Sequence, residues 1–267
     1  MIRTGIAGAA GRMGRMLISA AAEFPDLTIS AAIEAASSSL VGADSGELAG
    51  AGTNGVLVGG DLTSAAGSFD VLIDFTIADA TAQNLEICAT SGKRMVIGTT
   101  GLSAAQRDRL EVLGEQMAIV IAPNFSVGVN ATFKLVEIAA EIFGDDVDIE
   151  VVEAHHRHKV DAPSGTAIRL GEAAAEALDR KLSDVAVFGR EGMTGERDRQ
   201  TIGFHSLRAS DVVGEHTVVF AGTGERVEIT HRAHSRLNFA QGALRAAAWI
   251  ADKEVGVFDM QDVLGLR

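Results

Sequence analysis

One short stretch concentrates most of the reactive chemistry of this chain: Glu153-Ala154-His155-His156-Arg157-His158-Lys159-Val160-Asp161-Ala162-Pro163-Ser164-Gly165-Thr166-Ala167. Positions 155–159 hold three histidines, an arginine and a lysine. Histidine titrates near neutrality and can give or take a proton, whereas lysine supplies a fixed cation or a second acid. Ser164-Gly165-Thr166 follows Pro163 where a helix begins. The N–H groups and hydroxyls of such a helix start form a ready cradle for a carboxylate. Together these residues suit proton transfer to a small anion. Three other readings use the same residues. The cations can form a solvated loop. They can hold a metal, but consecutive histidines on an extended segment point to opposite sides and cysteine partners are absent, so no metal is expected. Ser164 can act as a nucleophile, yet the G-x-S-x-G elbow is missing.

A second constellation lies near the start. Gly8-Ala9-Ala10-Gly11-Arg12-Met13-Gly14 follows the apolar run Ile2 to Ala7 and opens an amphipathic segment. Glycine removes the Cβ that would keep a phosphate away from N–H groups at a helix start. The G-x-x-G-x-x-G spacing is a variant of the dinucleotide fingerprint, with Gly8 and Gly11 in the turn and Gly14 letting the helix pack against the sheet. Glu34 ends the second predicted strand, 20 residues past Gly14, where a carboxylate can accept both ribose hydroxyls. Ala35 offers no cation to an additional 2′-phosphate and Glu34 repels one. NADH is therefore the expected cofactor, with Arg12 able to reach a 2′-phosphate if NADPH is used. Gly98-Thr99-Thr100-Gly101 and Ala122-Pro123-Asn124-Phe125-Ser126 fall at further strand carboxyl ends, where open α/β sheets bind ligands. Both suit the nicotinamide half. Ordinary βα turns with a surface glutamate are the alternative.

The elements that must position these groups alternate in the first half. Strands are predicted at Ile2 to Ala7, Leu27 to Ile33, Val71 to Phe75, Arg94 to Ile97 and Met117 to Ile121. Helices are predicted at Arg12 to Ala22, Ala80 to Ser91 and Ser103 to Gln116, which is the rhythm of a parallel α/β sheet. Leu40 to Asn54 reads as a loop with at most one helical turn. After Pro123 the pattern changes to a long helix, Asn130 to Phe143, a strand, Val147 to Val152, and the polar stretch Glu153 to Thr166. A helix from Ala167 to Leu178 follows. Thr201 to Arg208, Glu215 to Phe220 and Arg226 to His231 alternate like antiparallel strands, before a last helix at Phe239 to Ala251. The fold class is thus α/β, a Rossmann-type parallel sheet domain plus a second α+β domain with an open mixed sheet. Hinges are expected near Ser126 and Ser235.

Composition narrows the partners. The 267 residues are 47% apolar, enough for sizeable cores, and carry 23 basic against 36 acidic side chains, a net charge of −13. Such a chain repels nucleic acid and anionic membranes unless cations gather locally. With 11 Phe, one Trp and no Tyr, stacking platforms for single-stranded nucleic acid are not expected. Cys88 is the single cysteine and reads as a small core residue. No apolar run approaches the roughly 18 residues that span a bilayer, and no secretory leader is seen, so a cytoplasmic protein without membrane partners is expected.

The blocks quoted above, with Val127-Gly128-Val129-Asn130, resemble the 4-hydroxy-tetrahydrodipicolinate reductases, formerly dihydrodipicolinate reductases, in order and spacing along essentially the whole chain. The resemblance implies reduction of a small cyclic dicarboxylate in the diaminopimelate route to lysine. It places the acid/base histidine at His155 and the proton-donating lysine at Lys159. His156, Gly165 and Thr166, assisted by Ser164, would hold a substrate carboxylate. Gly8 through Met13, Glu34, Gly98 to Thr100 and Ala122 to Phe125 match the cofactor contacts. Several relatives carry Arg where this chain has Ala35, a departure that bears on NADPH use. The resemblance further implies a dinucleotide-binding domain at 1–126 completed by 236–267, a substrate-binding and oligomerisation domain at 127–235, and a homotetramer. A non-catalytic nucleotide sensor is the rival class; it would bind cofactor without substrate-dependent NADH oxidation.

Overall fold

Runs of aliphatic residues with no polar alternation form the first strands, as expected for a sheet covered on both faces. In the computed structural model, which describes residues 1–267, β1 (Ile2–Ala7), β2 (Leu27–Ile33), β3 (Val58–Gly59), β4 (Val71–Asp74), β5 (Arg94–Ile97) and β6 (Ala118–Ile121) are interleaved with helices. These are α1 (Arg12–Ala20), α2 (Ser45–Leu48), α3 (Leu62–Ala65), α4 (Ala78–Thr90) and α5 (Ala104–Gly114). Next come α6 (Val127–Phe143), β7 (Asp148–His155), α7 (Gly165–Ala177), α8 (Leu182–Val185), β8 (Ala186–Phe188), β9 (Ile202–Arg208), β10 (Gly214–Gly222) and β11 (Glu225–Ala233). The chain ends with α9 (Leu237–Ile250), β12 (Gly256–Phe258) and α10 (Met260–Leu264). Two compact units result, Met1–Val127 with Leu237–Arg267, and Gly128–Arg236. No helix is long and apolar enough to cross a membrane.

The first unit is a seven-stranded, wholly parallel sheet in the order β12-β6-β5-β4-β1-β2-β3. Strand order reverses between β1 and β4, the position at which open α/β sheets take ligands. Alternate strand residues feed two cores. Ile6, Ile73, Val96 and Val120 pack with α1 and α9, whereas Ala7, Leu72, Ile97 and Ile119 pack with α4 and α5. Cys88 lies in the second of these cores, where burial pushes its thiol up to about 12 and suppresses thiolate chemistry.

The second unit is an open mixed sheet, β11-β10-β7-β9-β8, with β10 antiparallel to both neighbours and β7, β9 and β8 mutually parallel. Helices α6 and α7 cover the face that carries Ile149, Val151, Phe204 and Val218. Two expectations are corrected. The run Thr201 to Arg208 lies parallel, not antiparallel, to its partners, because the long connection holding α7, α8 and β8 carries the chain back to start β9 beside the start of β7. Strand β7 also continues through His155, so Glu153 and His155 belong to a strand and not to the polar loop. Three short elements, β3, β8 and β12, lacked a periodic signal because a strand of two or three residues shows no period.

Helix α9 approaches the β6 loop very closely. A Cβ at Gly242 would lie 1.7 Å from the Phe125 carbonyl oxygen. Gly242→Ala should therefore destabilise the first unit by about 1–3 kcal/mol through overpacking. Urea denaturation checks this; a change below about 0.5 kcal/mol would contradict the close approach.

Candidate active site

In the first unit every loop that leaves a parallel strand at its carboxyl end lies on one edge of the sheet. Gly8–Gly11 follows β1, Glu34 follows β2, Thr76 follows β4, Gly98–Gly101 follows β5 and Ala122–Phe125 follows β6. Gly8 holds φ +69°, a conformation that side chains rarely adopt, and the Gly11 N–H closes the turn onto its carbonyl at 2.9 Å. A Cβ on Gly14 would lie 2.2 Å from the Gly8 oxygen. Gly14 therefore lets α1 close against the turn itself; packing against the sheet, the role expected for it, is not what demands a glycine there. Gly11 caps α1 without any side-chain acceptor. The N–H groups of the first helical turn, including those of Arg12 and Met13, are thus not consumed by a capping side chain. The Ala9 N–H ties the turn to β2 through the Ile33 carbonyl at 3.0 Å. The Glu34 carboxylate accepts the Ala10 N–H at 3.1 Å and the Ala35 N–H at 3.0 Å, so it already sits beside the turn. A dinucleotide fits these features: a Cβ-free turn, an uncapped helix start for pyrophosphate and an acidic group for ribose.

A buried carboxylate that sequence reasoning missed underlies the opposite half of this edge. Asp74, at the end of β4, is fully buried. It accepts the Thr76 N–H at 2.8 Å, the Thr76 hydroxyl at 2.6 Å, the Asn84 amide at 2.9 Å and the Thr99 hydroxyl at 3.3 Å. Thr81 in turn donates to Thr99 at 2.8 Å. The network ties the loop after β4 to the Gly98–Gly101 loop. Its only sequence signal was an acidic residue closing an apolar strand. Thr100, Gly101, Ala122 and Pro123 line a cleft of about 360 Å³ beside it. Asn124 turns the chain by accepting the Ser126 N–H at 2.9 Å, and Phe125 is buried against Phe75 with ring centroids 5.5 Å apart. Gly98 backs onto that same Phe75 ring, which occupies the space a Cβ would need.

In the second unit three core-facing rows change from apolar to polar at the same level. Ile149, Val151, Glu153 and His155 run along β7, Ile202, Phe204, Ser206 and Arg208 along β9, and Phe220, Val218 and His216 along β10. Register places Glu153 between Ser206 and His216. Glu153 is 1% exposed and accepts both Arg208 nitrogens at 2.8 and 2.9 Å, His155 Nδ1–H at 2.6 Å and the Ser164 N–H at 3.3 Å. Burial pushes this carboxyl up, but Arg208, Ser206 and His155 outweigh it and hold it at about 2. The same pairing fixes His155 with its proton on Nδ1 and leaves Nε2 for chemistry. Burial lowers the His155 pKa, against the opposing pull of Glu153.

The loop that follows completes the cluster. Lys159 Nζ donates to both Asp161 oxygens at 2.9 and 2.8 Å, and its N–H reaches the His156 carbonyl at 3.1 Å. His156 Nδ1 is buried without a partner. A cis Ala162–Pro163 bond precedes Ser164, which caps α7 by accepting the Ala167 N–H at 3.1 Å. Gly165 and Thr166 open that helix, and a Cβ on Gly165 would meet only open space. His155, Arg208 and Ser164 at the start of α7 are thus gathered around one buried anion, whereas Lys159 pairs with the exposed Asp161. Arg208 and His216 were not foreseen; the inward positions of polar residues in otherwise apolar alternations were their signal.

The chain matches the family models described as Dihydrodipicolinate reductase, N-terminus, over residues 2–125, and Dihydrodipicolinate reductase, C-terminus, over residues 128–264. It is 59% identical to a 4-hydroxy-tetrahydrodipicolinate reductase of Alkalilimnicola ehrlichii over 264 residues, 99% of each chain. It is 57% identical to one of Methylococcus capsulatus, covering 100% of this chain and 99% of that one. A dipicolinate-bound dihydrodipicolinate reductase from Paenisporosarcina sp. TG-14 shares the fold at a TM-score of 0.79, with 23% identity over 98% of this chain and 99% of that chain.

The Glu153 carboxyl is lowered from 4.5 to about 2 by folding. Its contribution to stability is therefore complete above about pH 4.5 and is lost as pH falls toward 2. Glu153→Gln should destabilise the second unit by about 3–5 kcal/mol at neutral pH, because Arg208 loses its buried partner. The gap between wild type and variant in denaturant titrations should narrow as pH falls through that window. A gap independent of pH would contradict the pairing.

Proposed function

The chain belongs to the dihydrodipicolinate reductase family, and on that premise we propose that it reduces 4-hydroxy-tetrahydrodipicolinate, by way of dihydrodipicolinate, to tetrahydrodipicolinate on the diaminopimelate route to lysine. The observation that carries this reading is the buried Glu153 pairing, which orients His155 beside Lys159 and the start of α7. The substrate is a dicarboxylate. One carboxylate is held by His156, Gly165 and Thr166, with Ser164 assisting.

When bound, the reduced nicotinamide supplies a hydride to the unsaturated ring. Gly8, Ala9, Ala10, Gly11, Arg12 and Met13 seat the pyrophosphate, and Glu34 takes the ribose hydroxyls. Gly98, Thr99 and Thr100 with Ala122, Pro123, Asn124 and Phe125 hold the nicotinamide half. Loss of water from the hydroxylated substrate opens the conjugated ring system; addition of one hydride and one proton then completes the reduction. His155 handles that proton through Nε2, with Lys159 as the second donor. The charge of a bound dicarboxylate favours the protonated imidazole and counters the burial that disfavours it. Glu153 does not move a proton; it holds the imidazole in one tautomer and one orientation.

Glu34 also bears on cofactor choice. Its carboxylate stands beside the turn, and Ala35 brings no compensating cation, which favours NADH; Arg12, exposed, is the group that can admit NADPH. The same reading carries assembly as a cytoplasmic homotetramer through the five-stranded sheet.

His155→Ala should lower kcat by at least about 100-fold while leaving the NADH dissociation constant within about two-fold. Lys159→Ala should lower kcat similarly and raise the substrate KM. Unchanged turnover in the His155 variant would remove His155 from the chemistry. Comparing kcat/KM for the two cofactors should favour NADH by about ten-fold or more, equivalent to about 1.4 kcal/mol; a large NADPH advantage would overturn the Glu34 argument.

A further inference from the structure

Ser164 makes one contact more than a helix cap requires. Besides the Ala167 N–H at 3.1 Å, its Oγ meets His216 Nε2 at 2.9 Å. His216 is 4% exposed, lies opposite Glu153 on β10 and stands edge-on to His155 with ring centroids 5.1 Å apart. Its Nδ1 is buried and has no partner. One ring nitrogen is therefore committed to Ser164 and the other to nothing.

The two neutral tautomers have different consequences. With the proton on Nδ1, a buried N–H is left unmet and Ser164 must spend its own hydroxyl proton on Nε2. With the proton on Nε2, the ring donates to Ser164 and the unmet atom is only an acceptor. Buried donors without partners are the rarer and more costly case, so the second tautomer prevails. The ring does not escape by taking both protons: burial first, and then the neighbouring His155, lower its pKa to about 3. Ser164 Oγ then accepts two hydrogen bonds. With Cβ these fill three of its four tetrahedral directions, and the hydroxyl proton is confined to the fourth.

We propose that His216 is a positioning residue for substrate binding: its Nε2–H, donated to Ser164 Oγ, locks the Ser164 hydroxyl as a dedicated donor to a substrate carboxylate beside the Gly165 N–H. The inference rests on the dicarboxylate reading above. Removing the imidazole frees the hydroxyl rotor and weakens a polarised chain of hydrogen bonds, which acts on binding and not on hydride or proton transfer.

The test uses the full-length enzyme, with dipicolinate as the probe. His216→Leu should raise the dipicolinate Kd and the substrate KM about 5- to 10-fold, with kcat and the NADH Kd within about two-fold. His216→Gln, which places an amide donor near the position of Nε2, should recover most of the loss. In a Ser164→Ala background the leucine change should have no further effect on dipicolinate binding. Leucine and glutamine variants that bind equally poorly, or a fall in kcat at constant KM, would overturn the proposal. Histidine 15N NMR of the wild-type protein tests it without any variant: an Nε2–H tautomer at His216 supports it and an Nδ1–H tautomer ends it. Wild-type enzyme that binds no dipicolinate and oxidises no NADH with substrate would overturn the reductase reading and this one together, whereas normal turnover with the wrong tautomer overturns only the role of His216.

Discussion

A carboxylate buried at the end of a strand governs the second unit. Removing an anion from water costs several kcal/mol unless partners replace the solvent. Glu153 meets that demand with the fork of Arg208, the Nδ1–H of His155 and the N–H of Ser164. Each partner belongs to a different part of the fold: Arg208 to β9, His155 to the end of β7 and Ser164 to the cap of α7. Compensation of one charge thus sets the tautomer of the imidazole and the place where α7 begins. The orientation of the reactive groups follows from this pairing.

The first unit contains a second buried carboxylate with a different solution. Asp74 has no cationic partner within ion-pair distance and is surrounded by threonine hydroxyls, an amide and a backbone N–H. Because those donors come from two loops and one helix, the carboxylate ties the loops after β4 and β5 to α4. Donors alone suffice here because three converge on one oxygen and the Asn84 amide meets the other. Glu153 recruits a guanidinium, so that the buried charge is neutralised by a full opposite charge. Asp74 recruits neutral groups and leaves its edge without added cations.

Much of this was legible along the chain. Aliphatic runs alternating with amphipathic segments announced a parallel sheet, because strands covered on both faces have no polar alternation. The glycine turn was legible because a positive φ at Gly8 and a missing Cβ at Gly14 are local demands that only one residue type meets. His155, Lys159 and Ser164-Gly165-Thr166 stood out because they are neighbours in sequence. Strand direction for β9, the extent of β7 and the short strands β3, β8 and β12 were not legible. Each depends on a distant partner, and two or three residues carry no period of their own.

The sequence by itself determined the inventory: which cations, carboxylates, hydroxyls and glycines exist, and which local turns and helix starts can present them. Only the tertiary structure decided that Arg208 and His216 stand beside Glu153, and that Thr99 stands over Asp74. The pairing of residues some fifty positions apart is set by sheet register, and register follows from how whole faces pack. A buried charge then selects its partners from whatever that packing brings within reach.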